Sequence, residues 1–311
     1  MNILKLIPAL LITAVSIAPN AADAALRDAA ADHISTGRVS VSSQSMGVSL
    51  LDEIHIGEIP LMTPEGIMEL DEYVFGVLLG ELPYTFDADT FAAQAVAARS
   101  YCLYCIDHNQ QIQCAYDTPE ALAADYGDEY ARASVKAARR AVESTADIIA
   151  VYDGEPISAL WHSSSYGWTE SSVNVWGGEF DYLVQVPTYE NGDFLWSSAE
   201  FDLYEVYNRL YEAGYYYNME ENLILTRVSG RCDSLTIGSV TLTGVEARTI
   251  FGLKSTDFSA RFESGRLIFE VAGYGHGVGM SQYGAEWLAR AGWDWQSILL
   301  HYYPGCEIIK W

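Results

Sequence analysis

The chain has 311 residues, half of them hydrophobic, with 17 Lys and Arg residues against 42 Asp and Glu residues. Its formal net charge of −25 repels the phosphates of nucleic acids and of anionic lipids, which makes both poor candidates as partners. A glycan or a basic protein is compatible with such a surface. A chain of this length can bury a substantial core in one large or two modest domains.

The N-terminal residues have the layout of a secretory signal peptide. Lys5 precedes an apolar run over residues 6–17, and residues 22–24 read Ala-Asp-Ala, an A-x-A cleavage site. We therefore expect a signal peptide over residues 1–24 and a protein that works outside the cytoplasm. The alternative is a retained anchor at the outer face of the cytoplasmic membrane, although the run is short and Pro8 interrupts it.

The ordered part of the chain is expected to start after residue 50. Residues 25–58 read as a linker and a first strand, and one domain is expected over residues 59–311. The sequence Thr-Pro-Glu-Gly at 63–66 lies between apolar flanks and predicts the turn of a hairpin.

Helical and strand patterns follow in separate blocks. One helix is stopped by Pro83, and the next begins with an aspartate cap near Asp87 or Asp89. The remaining expected elements are helical character over residues 115–147, two strands around the Asp153–Gly154 turn, a helix at about 198–213, strand pairs within 231–247 and 258–272, and a helix from about Ser281 to Ala291 followed by Gly292. Helices and antiparallel strands are segregated along the chain, which predicts an α+β fold.

One face of the last of these helices reads as a packing face. Tyr283, Trp287, Leu288 and Ala291 recur at helical spacing. We therefore expect these four side chains to pack in the core, with Gly292 at the C-terminal end of the helix.

A glutamate stands out at the end of the first helix. Glu81 continues the apolar stripe formed by Val74, Val77 and Leu78. The helix macrodipole and burial both oppose a negative charge there, so both are expected to raise the pKa of this carboxyl, as a general acid near neutral pH requires. The alternative is an ordinary helix-end glutamate that reaches solvent at the break before Pro83.

The second helix and the segment after it carry further candidates. Gln94 and Arg99 are spaced to reach a polar ligand, and the alternative is a core position for the first and a surface position for the arginine. The chain has five cysteines, an odd number for an exported protein. The candidate ligands of a structural zinc ion are Cys102, Cys105, His108 and Cys114, in a C-x2-C-x2-H-x5-C pattern. A disulfide within this group and buried free thiols are the competing interpretations.

Two later segments are dense in small and polar residues. Residues 162–170 read HSSSYGWTE and lack the G-x-S-x-G pattern of a serine nucleophile elbow. Residues 273–279 read GYGHGVG, in which the glycines alternate instead of following the dinucleotide-binding pattern G-x-G-x-x-G. This many glycines indicate turns with positive φ or a backbone that another group approaches closely.

The order of these motifs resembles that of one family. The segments YVFGVLLGELP, FAAQAVAARSY, WHSSSYGWTES, GLKSTDF, GYGHGVGMSQYGA and HYYPG are similar to the successive motifs of the stage II sporulation protein D family, which includes proteins called amidase enhancers. The resemblance runs from about Leu61 to Ile308, and the block Gly-His-Gly-Val-Gly-Met-Ser-Gln is its most specific part.

The resemblance implies a lytic transglycosylase that cleaves peptidoglycan glycan strands lacking stem peptides, in sporulation (engulfment) or in cell-wall remodelling. The family's catalytic acid falls on Glu81 here, and the chemistry requires no cofactor. A lytic enzyme can use one carboxylate where a hydrolase normally needs two, because the 6-hydroxyl of the muramic residue replaces water. The alternative is a protein that binds peptidoglycan without cleaving it and activates a cell-wall amidase.

The resemblance also implies where the substrate binds. The helix that carries Glu81 is expected to pack with antiparallel strands, with the glycine-rich loop 273–279 beside a sugar ring at the active-site groove. The residues expected to contact the glycan are Gln94, Arg99, Ser164, Ser165, Glu170, His276, Ser281 and Gln282.

The chain departs from the family pattern at two places. Tyr166 replaces a glycine of the family's Ser-Gly-Gly motif. If that glycine needs positive φ, Tyr166 distorts the loop, and Tyr166 or Trp168 then stacks on sugar instead. Relatives that bind zinc use an H-x5-C-x4-H-C pattern, of which His108 and Cys114 match the first half alone.

Overall fold

The computed structural model of the protein describes residues 55–63, 66–190 and 192–311. The signal peptide predicted for residues 1–24 lies outside the described residues, as do most of the linker and the two central residues of the predicted hairpin turn. Helices and mostly antiparallel strands form separate blocks in the described ranges, which confirms the α+β fold. Within these ranges no helix is long and apolar enough to span a membrane.

The described residues form nine α-helices, two short 3-10 helices (Ile56–Glu58 and Asp193–Leu195) and thirteen strands. The helices are α1 (Leu70–Glu81), α2 (Ala88–Asp107), α3 (Pro119–Tyr126), α4 (Asp128–Ser144), α5 (Ser172–Trp176), α6 (Leu203–Glu212), α7 (Gly244–Phe251), α8 (Gln282–Arg290) and α9 (Trp295–Tyr302). The strands are β1 (Pro60–Thr63), β2 (Gly66–Glu69), β3 (Ile148–Tyr152), β4 (Glu155–Pro156), β5 (Trp161–His162), β6 (Trp196–Asp202), β7 (Leu223–Val228), β8 (Arg231–Ile237), β9 (Val240–Thr243), β10 (Phe258–Glu263), β11 (Arg266–Ala272), β12 (Met280–Ser281) and β13 (Glu307–Lys310).

These strands pair in small sheets. β1 pairs with β2 as the predicted hairpin, with Thr63 opposite Gly66. Three sheets have three strands each, in the orders β10–β11–β6, β13–β3–β4 and β7–β8–β9, and all of their pairs are antiparallel. The short pair of β5 and β12 is parallel.

The chain divides into two compact units. Unit 1 contains the described residues up to Ala159 together with Gly292–Leu300 and Gly305–Trp311. Unit 2 contains Leu160–Ala291 and His301–Pro304. Each unit buries its own set of apolar side chains.

Helix α2 is the central element of unit 1. It begins where the sequence predicts, because the Asp87 side chain accepts a hydrogen bond from the N–H of Asp89. Its buried positions include five alanines, at residues 92, 93, 95, 97 and 98. These small side chains let α1, α4 and β3 pack against it.

Unit 2 has a core built around aromatic side chains. Phe201 of β6, Phe251 of α7, and Phe258 and Phe269 of the β10–β11 pair contact one another with ring centroids 5.0–6.1 Å apart. The sheets β10–β11–β6 and β7–β8–β9 and the helices α6 and α7 all contribute buried side chains to this cluster. Ring contacts of this kind add to the free energy gained from burial alone.

The helix predicted at about 198–213 is wrong in its first part. Residues 196–202 instead form β6, which pairs with β11 along its whole length. The helix starts at Leu203, where Asp202 and Glu205 form a capping box in which each side chain accepts from the other's backbone N–H. Pairing with a distant strand therefore overrides the local helical pattern.

The packing face predicted for the last helix is correct for Leu288, which is 1 % exposed, but wrong for two of its other residues. The bounds of α8 agree with the prediction, and Gly292 has φ 93° just beyond it. Trp287, however, is 42 % exposed and Ala291 is exposed. The face that carries Gly284 is buried instead, because Tyr302 lies where a Cβ on that glycine would be.

Candidate functional site

Glu81 is the last residue of α1 in unit 1. The other members of its stripe, Val74, Val77 and Leu78, are fully buried, whereas Glu81 is half-buried. The helix ends here because the following residue, Leu82, is extended and precedes a proline. The carboxylate therefore lies at the boundary between the core and the solvent.

A strap formed by residues 112–117 lies against α1. Gly76 and Gly80, one turn apart on the helix, make this close approach possible. A Cβ on Gly76 would overlap the Tyr116 ring, and a Cβ on Gly80 would lie 2.9 Å from the carbonyl carbon of Ala115. The Tyr116 ring also stacks on Tyr73 with centroids 5.5 Å apart. The two glycines therefore set the path of the strap along the helix.

The strap orients the Glu81 carboxylate. The Ala115 N–H donates to Oε1 of Glu81 at 3.3 Å. Two residues on, the Asp117 N–H donates to the Gly76 carbonyl at 3.0 Å and anchors the strap. A backbone donor fixes the direction of one carboxylate oxygen, which suits a group that must meet a substrate proton at a defined position.

Three thiols lie close to this arrangement. Cys102 and Cys105 of α2 are fully buried, and Cys114 belongs to the strap. Burial raises the pKa of all three thiols, that of Cys105 to about 11, and the charges of Cys102 and Glu81 add to the rise at Cys114. All five cysteines of the chain lie in the described residues, and each is a free thiol.

The metal site predicted from the same residues is not assembled. In the part of the chain that the structure describes, no three His, Cys, Asp or Glu side chains are arranged to hold a metal ion. The Nδ1 atom of His108 lies 2.9 Å from the Tyr104 carbonyl, and its ring stacks on that tyrosine with centroids 3.9 Å apart. This arrangement does not fit a zinc ion, and zinc binding by the four residues stays a prediction.

Gln94 and Arg99 lie in the interior of unit 1. Both side chains are 0 % exposed. The Arg99 guanidinium donates from Nε to Asp71 at 2.8 Å and from Nη1 to the Thr145 carbonyl at 2.9 Å. Arg99 is therefore a core residue and not a surface arginine, and the predicted ligand contacts of both residues stay predictions.

In unit 2, the glycine-rich loop follows β11. The glycines at 273, 275, 277 and 279 all have positive φ, between 72° and 114°. Each is also pressed against another group of unit 2. These groups are, in order, the Ser164 carbonyl, the His162 side chain, the Arg231 guanidinium and the Leu160 carbonyl. The protein's own packing thus requires the glycines, and contact of this loop with a sugar stays a prediction.

A buried polar network starts beside this loop at His162. Its Nδ1 atom lies 3.2 Å from the Val278 carbonyl, and its Nε2 atom lies 2.6 Å from the Ser165 hydroxyl. Arg231 donates to the same hydroxyl at 2.9 Å. Burial, and then the charges of His276 and Arg231, hold the pKa of His162 well below its usual value. The imidazole is therefore neutral, with Nδ1–H donating to the carbonyl and Nε2 accepting from Ser165.

Glu190 completes the network and is 7 % exposed. Its carboxylate accepts the Ser165 N–H at 3.0 and 3.2 Å, the Thr188 hydroxyl at 3.0 Å and the Ser281 hydroxyl. Burial raises the pKa of this carboxyl to about 7, while the hydrogen bonds from Ser281, Ser165 and Thr188 oppose the rise.

Sequence reasoning missed Glu190 and Arg231. Glu190 lies in the polar stretch PTYENG, where an acid residue indicates a solvated turn. Arg231 directly follows the Ser-Gly dipeptide of a turn, where a charged side chain is expected to be exposed to solvent. No spacing along the chain links either residue to Ser165 or Ser281, so the sequence offered no signal for the network.

His276 and Glu170, both predicted to contact the glycan, are bonded within unit 2. Nδ1 of His276 accepts the Val278 N–H at 3.0 Å, and burial followed by nearby arginine charges lowers its pKa to about 4. Glu170 accepts the Ser171 N–H at 2.7 Å and lies 3.8 Å from Nε of Arg231. His276 is half-buried and Glu170 is buried. The remaining predicted contacts in unit 2 are buried, and they are Ser164, Ser165, Ser281 and Gln282.

The loop distortion expected at Tyr166 does not occur. Positive φ falls on Gly167, at 77°, and Tyr166 is not among the residues with positive φ. The side chains of Tyr166 and Trp168 are 53 % and 54 % exposed. Both rings are therefore accessible without backbone strain.

Comparison with known proteins identifies the family. The family model described as SpoIID, stage II sporulation protein, matches residues 63–152, which include Glu81 and the strap. The chain is 31 % identical over 258 residues to stage II sporulation protein D of Bacillus amyloliquefaciens, covering 77 % of this chain and 74 % of that protein. The chain belongs to the stage II sporulation protein D family.

Two further relatives show the range of names within the stage II sporulation protein D family. Stage II sporulation protein D of Bacillus subtilis (strain 168) is 29 % identical over 259 residues, covering 77 % of this chain and 74 % of that protein. The amidase enhancer of the same organism is 26 % identical over 293 residues, covering 76 % of this chain and 40 % of that protein.

Proposed function

We propose that the protein acts on the bacterial cell wall outside the cytoplasm, as a lytic transglycosylase that cleaves peptidoglycan glycan strands lacking stem peptides. The observation that carries the proposal is the Glu81 carboxylate, half-buried at the end of an otherwise buried helix stripe and held by the Ala115 N–H. Membership of the stage II sporulation protein D family supports it.

In the proposed reaction Glu81 acts twice. As an acid, it gives its proton to the glycosidic oxygen that leaves the muramic C1. As the resulting carboxylate, it takes the proton from the C6 hydroxyl of the same sugar, whose oxygen bonds to C1 and closes a 1,6-anhydro ring. The proton returns to Glu81, so one carboxyl completes the cycle without water.

The test is a digest of purified glycan strands without stem peptides, analysed for 1,6-anhydromuramic ends by mass spectrometry. Glu81→Gln keeps the size of the side chain but cannot donate the proton, so we expect a loss of turnover of about 10²–10⁴-fold. Glu72→Gln, an exposed carboxylate on the same helix that pairs with Arg139, is the matched control and should keep full activity.

Two results would contradict this proposal. Full activity of Glu81→Gln would remove the residue from the mechanism. Reducing ends in place of anhydro ends would make the protein a hydrolase, which normally requires a second carboxylate.

The name of one relative supports a second candidate function. Because an amidase enhancer is 26 % identical to the chain, activation of a cell-wall amidase is the alternative to cleavage. In that case, the protein would yield no anhydro ends by itself but would raise the rate at which an added amidase releases stem peptides, and Glu81→Gln would leave that rate unchanged.

A further inference from the structure

Unit 2 exposes aromatic rings that the proposed chemistry of Glu81 does not use. Six of them form three contacting pairs, here named the aromatic row. The pairs are Tyr166–Trp196, Phe194–Tyr283 and Tyr189–Trp287, with ring centroids 5.0, 4.5 and 5.6 Å apart. Four of the six rings, those of Tyr166, Trp196, Tyr189 and Trp287, are between 42 % and 53 % exposed. Clustered exposed apolar surface of this kind marks a binding site.

The chain connects the three pairs to one another. Phe194 and Trp196 lie on either side of Leu195, whose carbonyl accepts the Gly273 N–H at 2.7 Å. Tyr283 and Trp287 are one turn apart on α8 and share its exposed face. The middle pair is therefore connected to the first through residues 194–196 and to the third through α8.

The buried network fixes the segments that carry these rings. Glu190 directly follows Tyr189 in the chain, and its carboxylate accepts the N–H of Ser165, the residue before Tyr166. It also accepts the hydroxyl of Ser281, the N-cap of α8. One buried carboxylate thus connects three segments of the row. Because these segments are already fixed, the protein loses little further conformational entropy when a ligand binds.

A cation lies on Tyr274, in a segment bonded to those that carry Tyr166 and Trp196. Lys254, the sole lysine in the sequence of unit 2, holds its Nζ atom 5.6 Å from the centre of the Tyr274 ring. Tyr274 pairs with Ser164, and its neighbour Gly273 bonds to Leu195. The ring that the ammonium group contacts thus belongs to a segment bonded to Ser164 and to Leu195.

We propose that the aromatic row binds a glycan chain, with sugar rings stacked on its aromatic faces, and that Lys254 binds a carboxylate carried by one sugar. A pyranose presents a face of C–H groups to an aromatic ring and hydroxyls at its edges, which suits Tyr and Trp side chains. The choice of a carboxylate-bearing glycan rests on the proposed function, but binding does not require Glu81.

The test measures binding by the full chain in a Glu81→Gln background, so that the ligand is not consumed. Two soluble ligands are compared: glycan strands without stem peptides, which carry a lactyl carboxylate on each muramic sugar, and an N-acetylglucosamine oligomer, which has none. We expect Trp196→Ala and Trp287→Ala each to weaken binding of both ligands about three- to tenfold. Lys254→Ala should weaken binding of the carboxylate-bearing strands alone.

Tyr216→Ala is the matched control, since this ring is 80 % exposed in the same unit but lies outside the row. It should bind both ligands as the parent does. Row variants with an unchanged melting temperature and unchanged affinity for both ligands would overturn the inference. Loss of amidase stimulation with unchanged glycan affinity would also overturn it, by making the row a protein-binding surface. Absence of anhydro products from the wild-type digest, with glycan binding retained, would refute the proposed cleavage and leave the row supported.

Discussion

Two carboxylates, Glu81 in unit 1 and Glu190 in unit 2, are held in contrasting ways. Glu81 is half-buried at a helix end and accepts the Ala115 N–H of a strap at 3.3 Å. Glu190 is 7 % exposed and accepts hydrogen bonds from Ser165, Thr188 and Ser281. A buried carboxylate that accepts from several segments connects them, whereas one at the boundary with solvent can exchange protons with a substrate. The surroundings of Glu190 therefore indicate a structural role, whereas those of Glu81 suit the chemical role proposed for it.

Removal of Glu190 should produce the largest loss of stability. Glu190→Ala leaves the buried Ser165 N–H without its acceptor, at a cost of about 1–3 kcal/mol, and opens a cavity. It also leaves the Thr188 and Ser281 hydroxyls only the Tyr302 hydroxyl and the Ser163 carbonyl as partners. We expect the free energy of unfolding to fall by about 3 kcal/mol or more in urea titrations. The matched control is Glu200→Ala, an exposed carboxylate of unit 2 that pairs with Arg266, which should cost less than about 1 kcal/mol. If Glu190→Ala lost as little stability as Glu200→Ala, Glu190 would have no structural role, and its contrast with Glu81 would not hold.

The pH dependence of stability should show a smaller effect of the same residue. The folded pKa of Glu190 is raised from 4.5 to about 7, so the folded state holds an extra proton between these values. Its contribution to stability is therefore fully present below the unfolded pKa and is lost as the pH rises through 7. The shift corresponds to about 3 kcal/mol as an upper value, because relaxation of the surroundings reduces it.

Glu190→Gln isolates this effect, because the amide imitates the protonated carboxyl. We expect the difference in unfolding free energy between wild type and this variant to change across the window from 4.5 to about 7. A difference that stays constant over that window would show that Glu190 keeps an ordinary pKa in the folded state. Comparing the two proteins also cancels the contribution of His162, whose pKa is lowered.

The smallest predicted effect on stability concerns the strap. Gly76→Ala places a Cβ on the Tyr116 ring, so the strap must shift, at a cost of about 1–3 kcal/mol. The shift moves the Ala115 N–H away from Glu81, so turnover should fall as well. Gly178→Ala is the control, since its Cβ would have 4.0 Å to its nearest neighbour, on Phe180. Unchanged turnover in a destabilised Gly76→Ala protein would show that the strap does not orient the acid.

Local signals predicted several elements correctly. Pro83 ends α1, Asp87 caps α2 and Gly292 follows α8, because each acts through the backbone of its own neighbourhood. Glu81 was singled out in the same way, as a charged residue that breaks an apolar stripe on one helix, and its catalytic role stays a proposal.

Features set by distant parts of the chain were not predictable in this way. Residues 198–202 carry a helical pattern but form β6, because β11 offers a complete strand partner. Trp287 continues an apolar stripe but is exposed, because the buried face of α8 is the one on which Gly284 meets Tyr302. Glu190 reads as a turn residue, and its partners come from two other segments, at 165 and 281. Such contacts depend on the tertiary fold, and no periodic pattern of residues along the sequence predicts them.

The cysteines give the molecule built-in reporters of local opening. Cys102 of unit 1 and Cys232, the one thiol in unit 2, are both buried, and burial raises the pKa of the former well above its usual value and that of the latter to about 11. Since the thiolate is the form that alkylating agents attack, neither should react while its unit is closed. A short pulse of alkylating agent during unfolding, followed by peptide mass analysis, would therefore record separately when each unit opens, without any engineered probe.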